Sequence, residues 1–251
     1  MDLIPLKTSD SWESLKAFTA ARIALGRVGD SIPLSESLEF KLAHAHARDA
    51  VYSTLDHELL TDGLQHLGQP VIHVKSQAVT REQYLQRPDL GRLPNDRSVQ
   101  LLQEQSADYD ICIILADGLS AKAINQNGIP LISALLPLFI GMEYRVAPIC
   151  LADQARVALS DHISHALHAK LCVMLIGERP GLSSADSIGA YLTYQPRPGL
   201  TDESRNCVSN IRPDGLSFEL AARKIFYLSQ EAFRRKLSGV SLKDNAGLIG
   251  E

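Results

Sequence analysis

Short apolar runs closed by turn residues recur through the second part of the chain, and they predict strands over Val71–Val74, Ile111–Leu115, Arg145–Cys150 and Leu171–Ile176. A run of this length suits a strand covered on both faces. The sharpest is Leu171–Ile176, which breaks abruptly into Gly177-Glu178-Arg179-Pro180-Gly181. Alternation over Ile188–Tyr194 predicts a further strand nearer the sheet edge. Helical spacing of apolar residues marks Asp96–Gln105, Ala121–Asn125, Leu131–Gly141, Val157–His168 and Phe218–Leu237, while residues 87–92 read as a turn-rich loop.

The first part of the chain reads differently. From about residue 10 to 67 the pattern is helical throughout: Leu15, Phe18, Ala21, Arg22 and Leu25 at helical spacing, a stop at Gly26 and Gly29, a new start at Pro33, and a short helix over Asp56–His66. Strands alternating with helices from residue 71 onward predict an α/β fold with a doubly wound, mostly parallel sheet. It is Rossmann-like in architecture only, because no G-x-G-x-x-G follows any proposed strand. The expected organisation is an N-terminal helical arm or cap over residues 1–70, making subunit contacts, and a sheet domain over 71–251.

Composition removes several function classes. Apolar residues make up 45% of the 251 and charged residues 22%, which is ordinary for a globular protein. A net charge of −4 offers no footprint for nucleic acid or an anionic membrane. No apolar run approaches the roughly 20 residues of a bilayer span. No basic segment leads into an apolar core after Met1, so no secretory signal is expected. Cys112, Cys150 and Cys172 lie in or beside apolar runs without C-x-x-C spacing, which argues for buried thiols over zinc or disulfides. Cys207 sits in a polar stretch expected to be a loop.

Parallel strands end on one edge, so their following loops converge. Those loops are Asp117-Gly118-Leu119-Ser120, Gly177–Gly181, and Asn206-Cys207-Val208-Ser209-Asn210. They offer carboxylates, amides, a thiol and bare backbone, with Arg179 the one obvious cation. That is a poor phosphate cradle and a better match for a large neutral ligand bearing amides. His162, His165 and His168 can share one helical face, which reads as a polar stripe facing solvent; no metal site is expected. Asp117 and Glu178 could form a carboxylate pair. Cys207 could be a nucleophile, although no local motif supplies its base.

Several ordered segments coincide with one known family. They are residues 19–23 with Gly26-Arg27-Val28-Gly29, then Ala47-Arg48-Asp49-Ala50-Val51, residues 84–92, Asp117–Ser120, Gly177-Glu178-Arg179-Pro180-Gly181-Leu182, Cys207-Val208-Ser209-Asn210-Ile211 and Ser238-Gly239. Through them the chain resembles the small (light) subunit of ethanolamine ammonia-lyase over about residues 19 to 240. The resemblance implies an adenosylcobalamin-dependent radical enzyme that converts ethanolamine to acetaldehyde and ammonia. It implies a large partner subunit that holds most of the ethanolamine contacts and the catalytic groups, in a heterododecamer of six large and six small chains. Cobalamin would lie between the two, contacted from this chain by Val157, Glu178 and Cys207, with no catalytic residue and no metal ligand of its own. Val157 rests on the resemblance of residues 156–161 alone. No Asp-x-His-x-x-Gly occurs, so the cofactor is expected base-on. The expected location is the cytoplasm, with enclosure in a bacterial microcompartment left open. Two other classes stand beside this one: a free-standing α/β hydrolase using Glu178 and Cys207, and a nucleotide-binding module without catalysis.

Overall fold

The computed structural model describes residues 10–244; the Met1–Pro5 stretch, in which no secretory signal is expected, lies outside them. The elements in order are α1 (Leu34–Tyr52), α2 (His57–His66), β1 (Val71–Lys75), α3 (Arg81–Gln86), α4 (Asp96–Glu104), β2 (Tyr109–Ala116), α5 (Ala121–Ile140), β3 (Ile149–Asp153), α6 (Leu159–Ala166), β4 (Ala169–Gly177), β5 (Ile188–Tyr194), β6 (Asn206–Ile211) and α7 (Phe218–Arg235).

The strands form one sheet in the order β1-β3-β2-β4-β5-β6. The pairs β1–β3, β2–β3 and β2–β4 are parallel, whereas β4–β5 and β5–β6 are antiparallel. The α/β class is as expected, but the sheet is mixed where a mostly parallel, Rossmann-like one was expected. The cause is the return after β4. Residues 178–187 contain no helix and are too few for the dozen or so residues of a parallel crossover. The chain therefore doubles back beside β4. β5 becomes an interior strand, and the predicted loop at 206–210 is the edge strand β6.

Side chains alternate between two cores. Ile111, Ile113, Leu115, Leu171, Val173 and Leu175 pack toward α2, α5 and α7. Cys112, Ile114, Cys150, Cys172 and Met174 pack toward α4 and α6. Cys112 and Cys172 are register partners on adjacent strands, so the three buried thiols gather on one face.

Local differences have local causes. The two helical pieces expected on either side of Pro130 are one 20-residue helix, α5, with Pro130 and Pro137 inside it. Burial of Leu131, Ile132, Leu135 and Phe139 outweighs the hydrogen bonds each proline removes. By length and composition α5 could cross a membrane, contrary to the expectation that no run is long enough; here half of it is buried, against the sheet and α7. The third strand starts at Ile149 instead of Arg145, because Pro148 cannot donate to the ladder. The short helix α3 was not expected; Thr80 caps it by accepting from Gln83 N.

The N-terminal helical pattern is only partly realised. Residues 10–32 contain one 3₁₀ segment, Glu13–Phe18, with no buried residue, in place of a helix running to Leu25. Phe18 is 86% exposed, so this stretch lacks the packed apolar face that sustains a short helix. Along α1 only Ala50 is buried, while Leu34, Leu38, Phe40 and Leu42 stay exposed. The helix is fastened near its C-terminal end, where Arg81 Nε donates to Val51 O (2.6 Å) and Lys122 N donates to Ser53 Oγ (2.9 Å). By contrast, α2 buries Leu60 and Leu64 in the main core.

One buried ion pair ties β6 to the body. Arg205, just before β6, donates from Nη1 and Nη2 to the two oxygens of Asp161 on α6, each at 2.7 Å. Both side chains are about fully buried, at 1% and 2% exposure. Removing one partner leaves the other charge buried and unpaired, which costs about 3–5 kcal/mol. Asp161→Ala should therefore lower unfolding stability by that amount in urea titrations; a change below about 1 kcal/mol would show that the pair does not anchor the edge.

Candidate functional site

The carboxyl ends of β2 and β4 meet through their glycines. Gly118 has φ +54, and a Cβ on it would lie 2.2 Å from Gly177 O. A Cβ on Gly177 would lie 2.0 Å from Ser120 O. Leu119 N donates to Gly177 O at 3.0 Å, closing the two turns onto each other. Ser120 then caps α5 and donates through Oγ to Ala185 O at 2.7 Å, drawing in the 178–187 return.

Beside this junction is a cleft of about 570 Å³. Its walls come from β4, β5 and β6, from the turns after β2 and β3, and from the 178–187 return, with Tyr84 of α3. Val157 and Glu178 both line it, together with Leu119, Arg156, Ile176, Arg179, Tyr191, Ser209 and Asn210. Cys207 is not among the lining residues. It pairs with Tyr191 across β5 and β6, and its thiol interacts with the side chain of Tyr191, a residue that does line the cleft. The structure thus brings Val157 and Glu178 together directly, and Cys207 through one intervening side chain.

Glu178 is held by an irregularity in the sheet. Between Ile188 and Ala190 the β5–β6 register shifts, and Asn210 takes a positive φ of 58°. Such a bulge removes a residue from the ladder and re-aims its backbone. The freed Asn210 N donates to Glu178 Oε2 at 3.2 Å. Gly189 makes room, since a Cβ there would sit 3.1 Å from Glu178 Oε1. Glu178 lines the cleft, and among the described residues its Oε1 accepts no hydrogen bond.

Asp117 has a different task from the one its position in the sequence suggests. It is 2% exposed and does not line the cleft. Its carboxylate accepts from Gln154 N (2.8 Å), Ala155 N (2.9 Å) and Arg81 Nη1 (3.3 Å). It therefore clamps the turn that presents Arg156 and Val157. Burial pushes its pKa up to about 6, against the pull of those donors.

Two contributors were not visible as such in the sequence. Tyr84 is fully buried, donates to Ala155 O at 3.0 Å, and has guanidinium groups over its ring from Arg81 (4.6 Å) and Arg156 (4.2 Å). Arg156 itself is the second cation of the cleft, where Arg179 alone was expected. Its place next to Val157 was the only available signal. The histidine stripe lies elsewhere: His162, His165 and His168 line a separate groove beside α4 and α6.

As a nucleophile Cys207 is poorly served. Among the described residues, no histidine lines the cleft. Partial burial of the sulfur raises its pKa above the ordinary thiol value, and the Glu178 charge adds to this. The neutral thiol dominates at pH 7.

The chain matches the family described as ethanolamine ammonia-lyase light chain (EutC) over residues 9–243. It is 49% identical over 239 residues to the ethanolamine ammonia-lyase small subunit of Pseudomonas aeruginosa strain LESB58, covering 94% of this chain and 88% of that one. It is 48% identical over 243 residues to the protein of the same name from Azotobacter vinelandii, covering 95% and 90%. It is likewise 48% identical over 250 residues to that of Pseudomonas fluorescens, covering 98% and 91%.

Two outcomes follow from the local chemistry. Iodoacetamide should label Cys207 alone on the native chain, slowly at pH 7 and faster at alkaline pH, with the three buried thiols reacting only after unfolding. Fast labelling at pH 7 would instead mark an activated thiolate. For Asp117, the folded pKa lies above its unfolded value of 3.8, so its contribution to stability is complete below that value and is lost as pH rises through about 6. Urea unfolding of wild type relative to Asp117→Asn should show this loss between about pH 4 and 6 and a plateau above.

Proposed function

The chain belongs to the ethanolamine ammonia-lyase light chain family, subunits of a carbon–nitrogen lyase, and from this premise we propose that its strand-end cleft is one wall of an adenosylcobalamin site completed by a large subunit. The observation that supports this reading is the convergence of Val157 and Glu178 on one cleft, with Cys207 linked to it through Tyr191.

The lining suits a corrinoid. Val157, Leu119 and Ile176 give an apolar surface for a ring. Glu178, Ser184, Ser187, Ser209 and Asn210 supply acceptors and donors for peripheral amides. A volume of about 570 Å³ is that of a pocket for a small ligand, so a corrinoid would extend beyond it and need a second wall. When bound, the cofactor supplies the organic radical that deamination of ethanolamine to acetaldehyde and ammonia requires. The residues of this chain bind and orient. Glu178 accepts from a side-chain amide, Val157 packs on the ring, and Cys207 reaches the cleft through the side chain of Tyr191. No histidine lines the cleft among the described residues, so this chain would supply none to replace the cofactor's own base.

The partner is the large subunit, six copies with six of this chain, and it holds ethanolamine. The exposed apolar residues of α1 and the segment before it supply the contact surface of the N-terminal arm, residues 1–70, with 71–251 as the cobalamin-binding domain. The assembly works in the cytoplasm, free or within a microcompartment.

Ethanolamine deamination with adenosylcobalamin should appear only when this chain and the large subunit are mixed. Activity from this chain alone would favour the hydrolase reading, and nucleotide binding without corrinoid binding would favour the nucleotide module. Glu178→Ala should weaken cobalamin binding to the complex by about 1.5–3 kcal/mol without unfolding it. Unchanged affinity, measured by visible absorbance, would remove Glu178 from the site.

A further inference from the structure

Two arginines face the same cleft without carboxylate partners. Arg156 enters from the turn after β3 and Arg179 from the turn after β4. Neither forms an ion pair among the described residues, although most of their neighbours do: Arg81 pairs with Asp117, Arg205 with Asp161 and Arg212 with Asp186. Arg156 is also immobilised. Its backbone N donates to Gly91 O (2.8 Å), its Nη2 donates to Tyr84 O (3.1 Å), and its guanidinium lies 4.2 Å over the Tyr84 ring. Its Nε is buried and has no hydrogen-bond partner. A cation stacked and pinned in this way has lost its rotamer freedom before any ligand arrives. Glu178 is the one carboxylate lining the cleft among the described residues, and one of its oxygens is already engaged by Asn210 N.

A cleft with two guanidiniums and one partly engaged carboxylate carries net positive charge. Guanidinium forks match the oxygens of a phosphate. We infer that Arg156 and Arg179 form an anion subsite that takes the phosphodiester of the ligand's nucleotide tail. This rests on the reading that the cleft holds a corrinoid. The tail is then held at this end of the cleft, while Glu178 serves the neutral amides of the ring.

The test uses the complex with the large subunit and two probes, adenosylcobalamin and adenosylcobinamide, the second lacking the phosphodiester and base. Affinities are read by visible absorbance at low and high potassium chloride, with inorganic phosphate as a competitor. Arg179→Ala changes an exposed residue that makes no side-chain bond among the described residues, so its folding is secure; Arg156→Met is the second variant. Each should weaken adenosylcobalamin binding by about ten- to a hundredfold, the worth of one charged hydrogen bond. Adenosylcobinamide affinity should be unchanged by Arg179→Ala. Wild-type binding of adenosylcobalamin alone should weaken with salt. Competition by phosphate against adenosylcobalamin, and not against adenosylcobinamide, would support the subsite. Equal losses for both probes, or none in Arg179→Ala, would overturn it while leaving the corrinoid reading in place. Failure of the wild-type complex to bind either probe would overturn both.

Discussion

Gly118 and Gly177 approach so closely that neither position has space for a Cβ: one would meet Gly177 O at 2.2 Å and the other Ser120 O at 2.0 Å. Everything at the rim follows from that contact. It welds the turn after β2 to the end of β4, and Ser120 carries the contact on to the 178–187 return. The return then leads into β5 beside β4 instead of into a crossover helix. Because β5 and β6 run back and forth across this edge, Ser209 and Asn210 come to lie next to Glu178, although they are about thirty residues away in the chain. A larger side chain at either glycine would displace backbone, which no rotamer change can absorb.

Much of this was legible beforehand. Strands β1 to β4 show in the sequence as short apolar runs and α7 as a helical period, because burial of β2 and β4 on both faces and of one side of α7 leaves a clear pattern. Glu178 was visible because a charge directly after a buried strand stands out. What could not be read were the features that depend on distant partners. β6 carries Asn206, Ser209 and Asn210, looks like a loop, and becomes a strand only by pairing with β5. The return after β4 gives no sign of direction until its length is set against that of a crossover. Leu15, Phe18 and Leu25 have the period of a helix without a surface to pack on, so the period does not become structure. Arg156 is one of many arginines in the sequence, and only folding shows that it lacks a carboxylate.

Charge in the site is divided between layers. Asp117 and Arg81 lie beneath the surface and hold backbone: the first fastens the turn at residues 154–155, the second the end of α1. Between them and the cleft, Tyr84 is a rigid spacer with two guanidinium groups over its ring. The charges that line the cleft are therefore positioned by others that do not. This arrangement explains why Asp117, so prominent in the sequence as a possible acid, is structural in effect. Both of its oxygens are already engaged by donors of the protein.

The uncovered leucines and phenylalanines of α1 and the preceding segment bear on how such a chain must be made. Trp12, Phe18, Leu34, Leu38 and Leu42 all remain open to water, some at more than 70%. Surplus copies without a larger companion would find one another through the same greasy surface and clump. Balanced output of the two polypeptides then becomes a condition for keeping this one in usable form, quite apart from any demand of the chemistry.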